Sequence, residues 1–167
     1  MHETIAVFEA RRAANNEVLA GIPPDTLIYA EGGWTLKDLL SHMIAWERTA
    51  IDALVYYQRG EEYIIAEFAT TPTAEAIEAF NQRMYLAHRD DPVELVWQTW
   101  DEQRAAYINT LTEAYRLDPQ TKINQPWVSP LDGDAYVSLE GLMKSINWHE
   151  KEHIQDIQKV KESLGIE

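Results

Sequence analysis

The chain has 167 residues, within the range of one domain with a core of its own, and it is 46% hydrophobic, 25% charged and 10% aromatic, too apolar for a disordered tail and too polar for a membrane protein. Fourteen Lys and Arg against 28 Asp and Glu give a formal charge of −14, and the basic residues are scattered in ones and twos, which argues against a nucleic-acid partner. Without a cysteine, disulfides, thiolate ligands and a cysteine nucleophile are excluded, so any thiol chemistry brings its sulfur from outside.

The predicted elements are all helical. A first helix over about residues 3–20 carries Ile5, Phe8 and Leu19 on one stripe and stops before Gly21 and the Pro23-Pro24 pair. The second, from Thr35 to about Gly60, opens on a capping box of Thr35 and Asp38, with Trp34 and Leu39 as a hydrophobic staple and Leu36, Leu40, Met43, Ile51 and Leu54 on its apolar face.

A shorter helix over about 73–88 shows Ile77, Phe80 and Met84 on one face and reads as a cross-brace. Asp91, Pro92 and Glu94 predict the cap, first position and box of a fourth long helix to about Arg116, with the stripe Val93, Trp97, Trp100, Arg104, Tyr107 and Leu111. Residues 117–137, with three prolines and Gly133, predict a long loop, a candidate lid anchored by Trp127. The last helix runs from Ser138 to about Leu164. The expected fold is a single all-α domain over 1–167, a four-helix bundle with one extra short helix and a long loop before the last helix.

The last helix read as a heptad gives Leu139, Leu142, Ile146, His149, His153 and Val160 as its core positions. The two histidines are four residues apart, so both imidazoles lie on one face, and a shared divalent cation would satisfy both in an apolar seam. His42, between Leu39 and Trp46 near the edge of the second helix's apolar stripe, is the candidate third ligand; an interfacial histidine facing water is the plainer alternative. His2 and His88, at helix ends, read as surface residues.

His149-Glu150-Lys151-Glu152-His153 matches the HExxH pattern of zinc peptidases. Only 14 residues follow His153, with no Gly or His where the extended signature needs them, so the match reads as coincidental.

The segment Trp34-Thr35-Leu36-Lys37-Asp38-Leu39-Leu40-Ser41-His42, with Asn147-Trp148-His149-Glu150-Lys151-Glu152-His153 far downstream, resembles the DinB-like superfamily of metal-binding four-helix bundles. Phe80-Asn81 to Arg89-Asp90 and Pro92-Val93-Glu94-Leu95-Val96 resemble its ClbS/DfsB-like branch, so the likeness covers nearly the whole chain. The resemblance implies a divalent metal on one histidine of the second helix and two of the last, which match His42, His149 and His153. It also implies chemistry of two kinds: transfer or isomerisation with low-molecular-weight thiols, or hydrolysis that protects a producer from a genotoxin. The family name refers to induction by DNA damage and implies no DNA binding. Homodimers are common among such proteins, which is the ground for expecting one here.

Three imidazoles without a fourth protein ligand leave an open coordination position, as in catalytic sites. Zinc or nickel suits such ligands. The cation would activate a water or hold a thiol as thiolate, so the expected function is a metal-dependent S-transferase or detoxifying hydrolase acting on a small molecule. The alternative is a non-catalytic protein that sequesters such a molecule, with the histidines as polar packing. Trp46, Trp100, Tyr107 and Trp148 are candidate pocket walls. Arg104 interrupts an apolar stripe, so it either snorkels to water or presents its guanidinium to an anionic substrate. Asp38, Glu150 and Asp156 are candidate acceptors for the outer N–H groups of the imidazoles. Metal occupancy is expected to fall as pH drops through ~6.5. The absence of an apolar leader in residues 1–12, or of any run approaching the ~18 apolar residues of a membrane span, makes the expected location cytoplasmic.

Overall fold

Among the described residues five α-helices form where apolar residues recur at helical spacing, and each long one ends near a residue that cannot continue it. The computed structural model describes residues 2–68, 73–124 and 136–166. Helix α1 is His2–Leu19, α2 Leu36–Gln58, α3 Ala74–His88, α4 Val93–Leu117 and α5 Leu139–Ser163, each within about two residues of expectation. Four of them build the bundle: α2 packs on α4 and α5, and α1 on α5 and α4, while α3 braces the outside of α2 beside a 3-10 turn, Ala66–Phe68.

The capping box of α2 is present in full, with Asp38 N–H on Thr35 Oγ1 at 3.3 Å and Thr35 N–H on Asp38 Oδ2 at 3.0 Å. Trp34 joins the apolar cluster that contains Leu39, but its ring also stacks on Tyr85, with centroids 5.5 Å apart, and sets its edge on His42. The expected cap of α4 is corrected. Pro92 is itself the cap residue with no side-chain bond to the helix, and the Asp91 carboxylate turns back to His88 Nδ1 at 2.8 Å. A proline there already has the right φ and one fewer amide to satisfy, so the helix starts without a side-chain acceptor.

Four short strands among the described residues depart from the all-helical reading of the connections. β1 (Leu27–Tyr29) pairs antiparallel with β2 (Trp34–Thr35) ahead of α2. Within the expected loop, β3 (Lys122–Asn124) pairs with β4 (Tyr136–Ser138), which delivers Ser138 as the cap of α5. Strands of two or three residues are too short to show an alternating pattern. Trp127 and the rest of the proposed lid over 125–135 lie outside the described residues. The β1–β2 turn needs glycine: Gly32 has φ +87°, and a Cβ there would meet Trp34 Cδ1 at 3.1 Å. Gly32→Ala is therefore expected to lower stability by about 1–2 kcal/mol in urea titration, the cost of a left-handed alanine.

The buried seam of α5 is Leu139, Leu142, Met143, Ile146, Glu150, Ile154 and Ile157, so Glu150 takes the core slot and His149 and His153 sit on its flank. A real helix turns every 3.6 residues, and over four turns the core line drifts from the 3.5-residue heptad.

That drift exposes the organising feature of the interior. One apolar cluster holds Phe8, Ile51, Leu54, Tyr107 and Ile146, another Leu19, Met43, Trp100, Ile154 and Ile157. Between them lies a charged layer with one member from each long helix: Arg12, Glu47, Arg104 and Glu150, the two carboxylates each 1% exposed. Arg12 Nη2 lies 2.6 Å from Glu150 Oε1 and 3.2 Å from Glu47 Oε2. Arg104 bonds Glu150 through Nη2 and places Nε 2.7 Å from Glu47 Oε1, an ion contact without hydrogen-bond alignment. Asn15 donates to Glu150 Oε2 at 3.1 Å, and Gln103 to the Ile44 carbonyl at 2.7 Å. The guanidiniums stand over aromatic rings, with Arg12 Cζ 3.4 Å from the Trp100 ring centroid and Arg104 Cζ 3.6 Å from that of Phe8. Two positive and two negative groups leave the layer neutral, which makes its burial tolerable. Burial nevertheless pushes the Glu47 carboxyl up and the Arg12 guanidinium down from their ordinary values.

Candidate metal centre

Three imidazoles meet on the flank of the charged layer. His42 is the seventh residue of α2, and His149 and His153 stand one turn apart on α5. Their Nε2 atoms form a nearly equilateral triangle: 3.0 Å from His42 to His149, 3.1 Å from His42 to His153 and 3.1 Å from His149 to His153. Neutral imidazoles cannot fill such a triangle with hydrogen bonds, since each Nε2 offers either one proton or one lone pair. Nitrogens about 2.0–2.1 Å from a common ion stand about 2.9–3.4 Å apart, so these spacings fit a shared cation. The donor set, three imidazoles and no carboxylate, is of the kind that zinc and other transition metals accept.

Burial keeps these rings neutral. Desolvation lowers the His42 pKa to about 3 and His153 to about 4, and holds His149 well below its ordinary value; the neighbouring imidazoles push His42 and His149 further down, while Asp156 partly offsets the effect at His153. The lone pairs that a metal would need thus persist far below the ~6.5 expected from an exposed histidine.

Trp46 is the one expected wall residue that meets the imidazoles. Its ring lies 5.8 Å from His149 and 6.4 Å from His42, backed by Phe68 and Phe80, and its indole N–H donates to Asn81 Oδ1 at 3.0 Å. Trp100 and Tyr107, each 0% exposed, stand instead in the two core clusters, with the Trp100 indole N–H on Asn16 Oδ1. Trp148 is 64% exposed, because the residue before His149 turns about 100° away from it. Arg104, 4% exposed, does not snorkel to water; its guanidinium is held by Glu47 and Glu150.

The expected outer acceptors divide in the same way. Asp156 reaches the site through Tyr29, whose hydroxyl lies 2.9 Å from both His153 Nδ1 and Asp156 Oδ2. Asp38 gives its carboxylate to the α2 cap, and His42 Nδ1 is buried with no hydrogen-bond partner among the described residues. Glu150 belongs to the charged layer, so the glutamate of the HExxH match has its carboxylate held by Arg12, Arg104 and Asn15, and is not free to serve as a peptidase base. The charged layer itself, and Tyr29 and Trp34 against the histidines, escaped the sequence reading. Arg12 and Glu47 in apolar helical stripes were the available signs of the first; nothing local marks the second.

Among the described residues no helix is long and apolar enough to cross a membrane. No curated protein matches the chain. The fold is similar to that of an uncharacterised protein from Escherichia coli UTI89, known from its crystal structure, at a TM-score of 0.69 and 12% identity over 98% of this chain and 94% of that one. The model of the DinB superfamily matches residues 7–157, nearly the whole bundle and all three histidines, and the chain belongs to that superfamily.

Proposed function

We propose that the protein binds a divalent metal ion, zinc or nickel, through His42, His149 and His153 and uses it as an enzyme acting on small molecules, either as a low-molecular-weight-thiol S-transferase or as a related detoxifying hydrolase. The observation that carries this reading is the triangle of Nε2 atoms at 3.0–3.1 Å. When bound, the cation supplies Lewis acidity toward a water or an incoming thiol at the position the three ligands leave open. The chain's own residues do the rest. The depressed imidazole pKa values keep three neutral donors available, and Trp46 with Phe68 and Phe80 limits water on one side.

The competing reading, sequestration of an apolar compound inside the bundle, finds less support, because the described axis is filled by the two apolar clusters and the charged layer. Elemental analysis of untagged protein separates the two. About one equivalent of metal is expected in the native chain, with its affinity reduced in His149→Ala by more than the ~10–100-fold typical of a lost outer hydrogen-bond partner. Metal-free native protein, or full occupancy in His149→Ala, would rule the reading out. A panel of thiols with an electrophilic acceptor, run beside a hydrolysis assay without thiol, then tells transferase from hydrolase.

A further inference from the structure

The Tyr29 hydroxyl has one proton, and it donates that proton to Asp156 Oδ2 at 2.9 Å. Its oxygen is then the acceptor for the second short contact, 2.9 Å to His153 Nδ1, so the hydrogen in that bond belongs to the imidazole. A neutral ring protonated on Nδ1 keeps its lone pair on Nε2, the atom 3.1 Å from Nε2 of both His42 and His149. Asp156 is itself anchored by Lys159 Nζ at 2.7 Å. Tyr29 ends β1, and across the turn from it Trp34 of β2 lays its edge on His42, with centroids 5.4 Å apart. One hairpin therefore grips an imidazole from α5 and another from α2.

We infer that Tyr29, aligned by Asp156, is a positioning residue of the metal centre: it fixes His153 with Nε2 free to ligate and ties the β1–β2 hairpin to occupancy of the site. The first half holds for the metal-free protein; the second rests on the metal reading proposed above. Tyr29→Phe removes the hydroxyl and keeps the ring, which packs into the second apolar cluster. The expected result is an affinity for Zn2+, measured by chelator competition, about 10–100-fold below that of the native chain. In metal-free protein, 15N shifts of His153 are expected to show a proton on Nδ1 in the native chain and a mixture of tautomers in Tyr29→Phe. Zn2+ should slow hydrogen exchange of the Leu36 amide, which bonds the Thr26 carbonyl at the base of the hairpin, and should do so less in the variant.

Tyr57→Phe is the control, losing a hydroxyl bonded to Thr121 at 2.7 Å, and should change none of these readouts. A variant that melts at lower temperature but keeps the native tautomer and binds Zn2+ within about twofold of the native chain would make Tyr29 merely structural and overturn the assignment. A native His153 protonated on Nε2 would overturn it as well. If the native chain takes up no Zn2+, the metal reading fails, and the tautomer comparison still decides the role of Tyr29.

Discussion

Arg104→Met is expected to lower the unfolding free energy by about 3–5 kcal/mol, the usual cost of removing one partner from a buried charge cluster. The methionine fills much of the same volume, so packing over Phe8 is largely kept and the loss comes from Glu47 and Glu150, both 1% exposed and left with a single arginine between them. For a chain of this size the loss corresponds to a fall in Tm of about 6–20 °C. Urea titration of the variant, with far-UV circular dichroism as readout, measures it. A loss below about 1 kcal/mol would show that the layer tolerates an unpaired carboxylate, and its place in the fold would need another explanation. The double variant Arg104→Met with Glu150→Leu should cost less than the sum of its parts, because it removes one charge of each sign. Glu150→Gln serves a second purpose. A peptidase base would lose activity with stability intact, whereas this glutamate is expected to lose stability first.

Acidification should destabilise the metal-free protein steeply. The three imidazoles have an ordinary pKa of 6.5, and in the folded chain His42 falls to about 3, His153 to about 4 and His149 well below 6.5. Below pH 6.5 the unfolded chain takes up protons that the folded chain refuses. The folded state's advantage is thus complete above that pH and shrinks as pH falls toward the folded values. Each imidazole contributes about 1.4 kcal/mol per pH unit, so together the slope approaches about 4 kcal/mol per unit between pH ~6 and pH ~4. Against a total stability of about 5–15 kcal/mol that is enough to unfold the apo-protein in mild acid. Chemical denaturation at stepped pH checks it, and the His149→Ala variant should show a slope shallower by about 1.4 kcal/mol per unit. Zinc should raise stability at every pH where it stays bound, because it binds the folded arrangement alone. A flat profile for the apo-protein between pH 6.5 and 4.5 would mean that the rings are not desolvated as the structure has them.

The helices are legible in the chain alone, because period and caps are local: Thr35 with Asp38 starts α2, Gly21 follows α1, and apolar residues three and four apart mark the inner face of each rod. The sequence also nominated His42, His149 and His153, since a four-residue spacing on one helix and a histidine at the edge of another's apolar stripe are readable without coordinates. That the three Nε2 atoms meet emerges from the packing of α2 against α5, because the distance between rods depends on how side chains interlock. The same holds for the charged layer. Arg12, Glu47, Arg104 and Glu150 are separated by dozens of residues, and each alone looks like a solvated charge until four helices bring the signs together. Tyr29 reached His153 through a strand of three residues, too short to leave a periodic trace, and it is this kind of long-range contact that turns a plausible trio of histidines into an ordered site.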